Sequence, residues 1–163
     1  FDRRRRFKMK KGFTLLEILI GTSIITASFL GVLTVFDRLT KTSQEMVYLT
    51  QANFLLEEGL EVVRIWRDNG WANLGNWPAG TNYYLIWTGS QWATSTQNTF
   101  LDNKFERKIK LVSVSRDNSS DDITSSGGTD DPGTKLVTMS VAWSNGVATT
   151  TKTISTYLTN FFN

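Results

Sequence analysis

The sequence predicts an α+β protein: a long N-terminal helix packed on a mainly antiparallel β-sheet head. Three observations predict it. Phe13 to Phe36 is a run of 24 residues in which Glu17 is the only charge. Beyond Asp37, apolar residues recur at three- and four-residue steps as far as Trp66, the period of one helix face. After Gly70 the composition turns to Trp, Thr, Ser, Asn and Gly, with apolar and polar residues alternating as in half-buried strands.

The chain begins with a basic leader, residues 1–12. It carries Arg3, Arg4, Arg5, Arg6, Lys8, Lys10 and Lys11 against Asp2 alone. The whole chain has 18 Lys and Arg, 15 Asp and Glu and a net charge of +3, but residues 13–163 hold 11 bases and 14 acids, a net of −3. The basicity belongs to the leader and needs no nucleic-acid partner to explain it. Cysteine and histidine are absent, which removes thiolate metal sites, disulfides, the commonest general base and any Ser-His-Asp hydrolase. The chain reads as a non-enzyme.

Residues 13–36 form the hydrophobic segment. A helix of this length rises about 36 Å, enough to cross a hydrocarbon core of about 30 Å. The flanking bases place its N-terminus in the cytoplasm and the head outside it. Thr14, Thr22, Ser23, Thr26, Ser28 and Thr34 are interleaved with Leu and Ile, alongside Gly21 and Gly31. Small and hydroxyl residues suit helix-on-helix packing in lipid. Residues 37–68 continue as an amphipathic helix with the stripe Leu39, Met46, Leu49, Ala52, Leu56, Leu60, Val63 and Trp66. Glu61 and Arg64 sit at i, i+3 off that stripe. Asp68-Asn69-Gly70 supplies the stop, glycine suiting a left-handed cap.

Residues 69–163 form the β-rich head. Strands are expected in TNYYLIW (81–87), SQWATST (90–96), KFERKIKLVSVSR (104–116), TKLVTMSVAW (134–143) and VATTTKTISTYLTNFF (147–162). Ser144-Asn145-Gly146 reads as a type I′ hairpin turn. The Lys and Arg of 104–116 are expected to face water. Residues 116–135 read as a long polar loop. Of the six tryptophans, most cover the helix–sheet seam, while Trp77 and Trp92 fall in loop-like stretches and are the candidates for an exposed adhesive pair.

Lys10-Lys11-Gly12-Phe13-Thr14-Leu15-Leu16-Glu17 resembles the cleavage motif of type IV prepilins and pseudopilins. In that family a basic leader ends in Gly, a membrane peptidase cuts after it and methylates the new N-terminal residue, and the fifth residue of the mature chain is Glu. The resemblance therefore implies cleavage after Gly12, methylation at Phe13 and an assembly role for Glu17 with Phe13. It also implies a pilin fold. QANFLLEEGLEVVRIWRDNGWANL is similar to prepilin-type proteins of the minor-pilin kind. Many members carry a proline in the membrane helix, and this chain has none.

An acid within lipid calls for a partner. After cleavage, the Phe13 ammonium of a neighbouring subunit is the best available one, and such a pair would fix axial register. The function implied is a minor pilin of a type IV pilus-like filament. Its partners would be the prepilin peptidase, other pilin subunits, an inner-membrane assembly platform and the membrane before assembly. Its place would be a single-pass membrane protein, then a cell-surface or periplasmic filament. One alternative is a pseudopilin of a type II secretion system. Another is an uncleaved, membrane-anchored surface binding module. No cofactor is called for. Some pseudopilins hold calcium in the head, which makes Asp121, Asp122, Asp130 and Asp131 the candidate ligands, set against a plain solvated loop. Lys104, Arg107, Lys108, Lys110 and Arg116 would be the patch for DNA, against which stands the acidic balance beyond the leader.

Overall fold

The computed structural model describes residues 12, 14–75, 77–146 and 148–161. It divides into two units, Phe1–Met46 and Val47–Asn163. Helix α1 runs Leu15–Asp68. In the first unit its apolar side chains, among them Leu16, Ile20, Ile24, Phe29, Val32 and Phe36, are all exposed. This is one helix long and apolar enough to cross a membrane, near the N-terminus. Its hydroxyls bond backwards along the helix: Ser23 Oγ donates to Leu19 O (2.7 Å), Thr26 Oγ1 to Thr22 O (2.8 Å) and Thr34 Oγ1 to Leu30 O (2.9 Å). Each hydroxyl is thus satisfied within the helix, as a lipid-facing side chain requires.

The second unit contains the last turns of α1, the short helix α2 (Ala72–Gly75) and six strands: β1 Asn82–Trp87, β2 Trp92–Ser95, β3 Glu106–Arg116, β4 Ile123–Thr124, β5 Thr129–Ser144 and β6 Thr149–Thr159. The sheet order is β2-β1-β3-β5-β6, with β4 on β3, and every pairing is antiparallel. The predicted α+β layout is the observed one. Ala52, Leu56, Leu60 and Val63 recur at four, four and three residues and pack on Leu85, Ile109, Leu111, Val137, Met139 and Val141. Gly59 lets the two layers close: a Cβ there would stand 2.6 Å from Met139 Cε and 3.0 Å from its Sδ. The buried stripe starts later than its sequence period, because Leu39 and Met46 are each 63% exposed. Helical spacing creates an apolar face but cannot say where a sheet begins to cover it.

Three local expectations differ. The polar stretch 116–135 is shorter as a loop, since β4 and the start of β5 lie inside it and Asp130 pairs with Ser115 across the ladder. Gly127 (φ 71°) and Gly128 (φ 80°) make the turn between them. The β5–β6 connection is a four-residue loop, because Ser144 pairs with Thr149. A type I′ turn needs positive φ at both central residues, but here Asn145 has ordinary φ and caps the loop instead, its Oδ1 accepting from Ala148 N–H (3.0 Å), while Gly146 takes φ 88°. Gly70 ends α1 at φ 140°, a glycine conformation but beyond the left-handed helical cap.

Candidate functional site

Thr14, Leu15, Leu16 and Glu17 close a reciprocal capping box at the start of α1. Thr14 N–H donates to Glu17 Oε2 (2.8 Å), and Thr14 Oγ1 donates to the same oxygen (3.0 Å). Glu17 N–H in turn donates to Thr14 Oγ1 (3.3 Å). Two of the four N–H groups left unbonded at any helix start are thereby satisfied. The carboxylate also lies where the helix dipole favours negative charge. Sequence reasoning missed Thr14 as the partner of Glu17, although T-x-x-E before an apolar run is the signature of this motif. Gly12 is exposed, and a Cβ added there would meet nothing within 4 Å. Lys10, Lys11 and Phe13 lie outside the described residues.

In the head, strand β3 corrects the expected basic face. Phe105, Arg107, Ile109 and Leu111 all turn toward the helix, and Arg107 is 1% exposed. Arg107 Nη1 donates to Glu58 Oε2 and to Leu55 O (3.4 Å), and its Cζ stands 5.2 Å from the centre of the Trp92 ring. Nε and Nη2 have no hydrogen-bond partner among the described residues. The other bases are largely engaged. Lys108 pairs with Glu106 (2.7 Å), Arg116 with Asp131 (2.7 Å), and Lys104 Nζ lies 3.7 Å from the Tyr48 ring centre. Of the five bases, only Lys110 is exposed. Arg107→Ala should lower the head's stability by about 2–4 kcal/mol, from lost packing and from a pair broken at a buried group. Glu58→Gln leaves the 1%-exposed guanidinium without its counter-charge and should cost at least as much, about 3 kcal/mol. Thermal unfolding followed by tryptophan fluorescence checks this, and an Arg107→Ala melting point equal to the parent's contradicts it.

Among the described residues no three acids lie together as metal ligands. Asp131 is held by Arg116, Asp130 is in a strand, and Asp117 turns inward on its own loop. The Ser119 hydroxyl, followed by the Ser119 and Ser120 N–H groups, lowers the Asp117 pKa to about 2 from 3.8. The Arg116 guanidinium likewise holds Asp131 below its ordinary value. A carboxylate lowered by folding stabilises the fold above its unfolded pKa and ceases to do so as pH falls through the folded one. The head should therefore lose stability as pH drops from 3.8 to about 2. Asp117→Asn with Asp131→Asn should flatten that part of the melting-point profile, and an unchanged slope would count against both contacts.

The tryptophans also sort differently from expectation. Trp77 is half-buried between Trp66 (5.7 Å between ring centres) and Tyr83 (4.6 Å). Trp92 is half-buried on Arg107 and lies edge-on to Trp87 (5.4 Å), its cross-strand partner. Trp87 is the exposed one of the six, at 56%. The Trp87–Trp92 pair clamps the end of the β1–β2 hairpin, which accounts for an exposed indole without a ligand. Compared with family models, with curated proteins and with solved structures, the chain gave no match in any of the three.

Proposed function

We propose that the chain is a structural subunit, a minor pilin, of a type IV pilus-like filament. Prepilin peptidase would cut it after Gly12 and methylate Phe13. The apolar first half of α1 would hold the subunit in the inner membrane and then pass, with the help of an assembly platform, into a bundle of other pilin helices. The head would stand outside the cytoplasm and end at the cell surface or in the periplasm. The single observation that carries this reading is the order of parts at the N-terminal end. An unobstructed glycine is followed by a helix start capped by Glu17, the only acid of the apolar run 13–36, in a helix long and apolar enough to cross a membrane.

Intact mass and N-terminal analysis of membrane-extracted protein, with and without active prepilin peptidase, test it. A chain beginning at methylated Phe13 only when the peptidase is active is the expected result. A chain that keeps Lys10, Lys11 and Gly12 despite the peptidase would overturn it in favour of an uncleaved anchored module. A pseudopilin of a type II secretion system would give the expected mass as well. It separates from the pilin reading by which machinery stalls when the gene is deleted.

A further inference from the structure

The sheet has two edges of unequal kind. Strand β2 contributes four residues to one edge, and β6 contributes eleven to the other. β6 pairs with β5 without a register break from Ser144↔Thr149 to Thr134↔Thr159. Hydrogen bonds at both ends of this ladder fix which residues face outward. Asn145 N–H donates to Ala148 O, and Asn160 N–H donates to Gly133 O. Even-numbered residues of β6 thus bond to β5, so Thr151, Thr153, Ser155 and Tyr157 turn their N–H and C=O groups to the open edge. Proteins commonly blunt such an edge with charges, proline or a bulge. Here the eleven residues hold one charge, Lys152, and neither proline nor glycine.

On the helix side, this edge opens into a groove of about 470 Å³ between α1 and Ile154. Its lining is Leu60 and Ile154 with Glu57, Glu58, Glu61 and Arg64. Glu61 is taken by Arg64 (3.3 Å) and Glu58 by Arg107, while Glu57 makes no ion pair among the described residues. An added strand would set every second side chain over this groove, next to two aliphatic groups and an unpaired carboxylate.

We propose that the outer edge of β6 is a strand-addition site. Its occupant is an extended segment of another protein, with aliphatic and basic residues alternating on the face turned toward α1. A partner segment can add antiparallel, the stronger pairing.

The test uses the full chain in detergent micelles and a labelled synthetic peptide, Val-Thr-Lys-Thr-Val-Thr-Lys-Thr-Val-Thr, read by fluorescence anisotropy. Its counterpart with Glu in place of Lys should bind at least about tenfold more weakly, because like charges then meet at Glu57. Glu57→Gln should weaken the lysine peptide about two- to fivefold, the size of an exposed ion pair. Ser155→Pro removes an outward N–H and leaves the backbone ladder to β5 intact, losing with it only the exposed hydroxyl contact to Thr138 (3.0 Å), and it should abolish binding with at most a small fall in melting point. If Ser155→Pro fails to fold, amide exchange on the parent chain decides: Thr151, Thr153, Ser155 and Tyr157 should slow when the peptide is added. Unchanged exchange, or equal binding of both peptides, overturns the proposal. So does a dimer of the peptide-free chain that Thr153→Pro dissolves, which would make the occupant a second copy. None of these readouts depends on cleavage at Gly12, so failure here is distinct from failure of the pilin reading.

Discussion

Gly12→Val should leave the chain unprocessed in cells that contain active prepilin peptidase, with the leader still present by intact mass. The expected drop in cleavage is about 10²-fold or more, the penalty when a scissile bond is displaced by about an ångström from its catalytic groups. The structure makes this substitution informative. Gly12 is exposed, precedes the helix, and has open space where a Cβ would go. Valine there meets no atom of the described chain, so α1 and the head should be unchanged in circular dichroism and melting point. A processing defect would then report the fit of the cleavage site in the peptidase and nothing about folding. Normal cleavage of Gly12→Val would remove the main support for the pilin reading. Alanine is the graded control, because its single methyl should slow processing far less than valine does.

The long helix and the strands were legible because each follows a repeat imposed by backbone geometry. The four-residue steps Ala52, Leu56, Leu60 and the alternation Val137, Met139, Val141 state which faces are covered. Where a residue's type and its position disagree, the reading failed. Arg107 is basic, so it was expected outside, yet the alternation Phe105, Arg107, Ile109, Leu111 already put it on the apolar face. A guanidinium can occupy that place because a carboxylate from the helix and an indole face are both within reach. Neither is visible from a strand's own sequence. The start of β5 was hidden for a similar reason. Asp130 and Asp131 have turn composition, and only pairing with β3 makes strand of them, while Pro132 falls in the bulge between Asp131 and Lys135. At the helix start the signal was present. Thr14 and Glu17 stand three apart, but Thr14 reads as one more hydroxyl among six until its bonds are seen.

Glu17→Val should leave cleavage within about threefold of the parent and reduce incorporation into filaments by at least about tenfold. Two causes predict that result, and the capping box makes it necessary to separate them. As a cap, Glu17 contributes about 1 kcal/mol to the first turn of α1. As the partner of a neighbour's Phe13 ammonium, it would contribute far more. At 4 Å and an effective dielectric of 20, two unit charges attract by about 4 kcal/mol, or about three powers of ten in an equilibrium constant. Glu17→Gln distinguishes the two roles, since glutamine serves in a capping box as well as glutamate but carries no charge. If charge pairing sets the register, Glu17→Gln should fail in assembly nearly as completely as Glu17→Val. Thr14→Val, which keeps the carboxylate and removes the hydroxyl half of the box, should then fail only mildly. The opposite order, with Glu17→Gln assembling normally and Thr14→Val failing, would mean that the cap is what matters and that no intersubunit ion pair is needed. The measurement is the amount of each variant in sheared filaments, normalised to its processed form in the membrane. Normalising in this way separates assembly from cleavage, because a subunit that is never processed contributes to neither quantity.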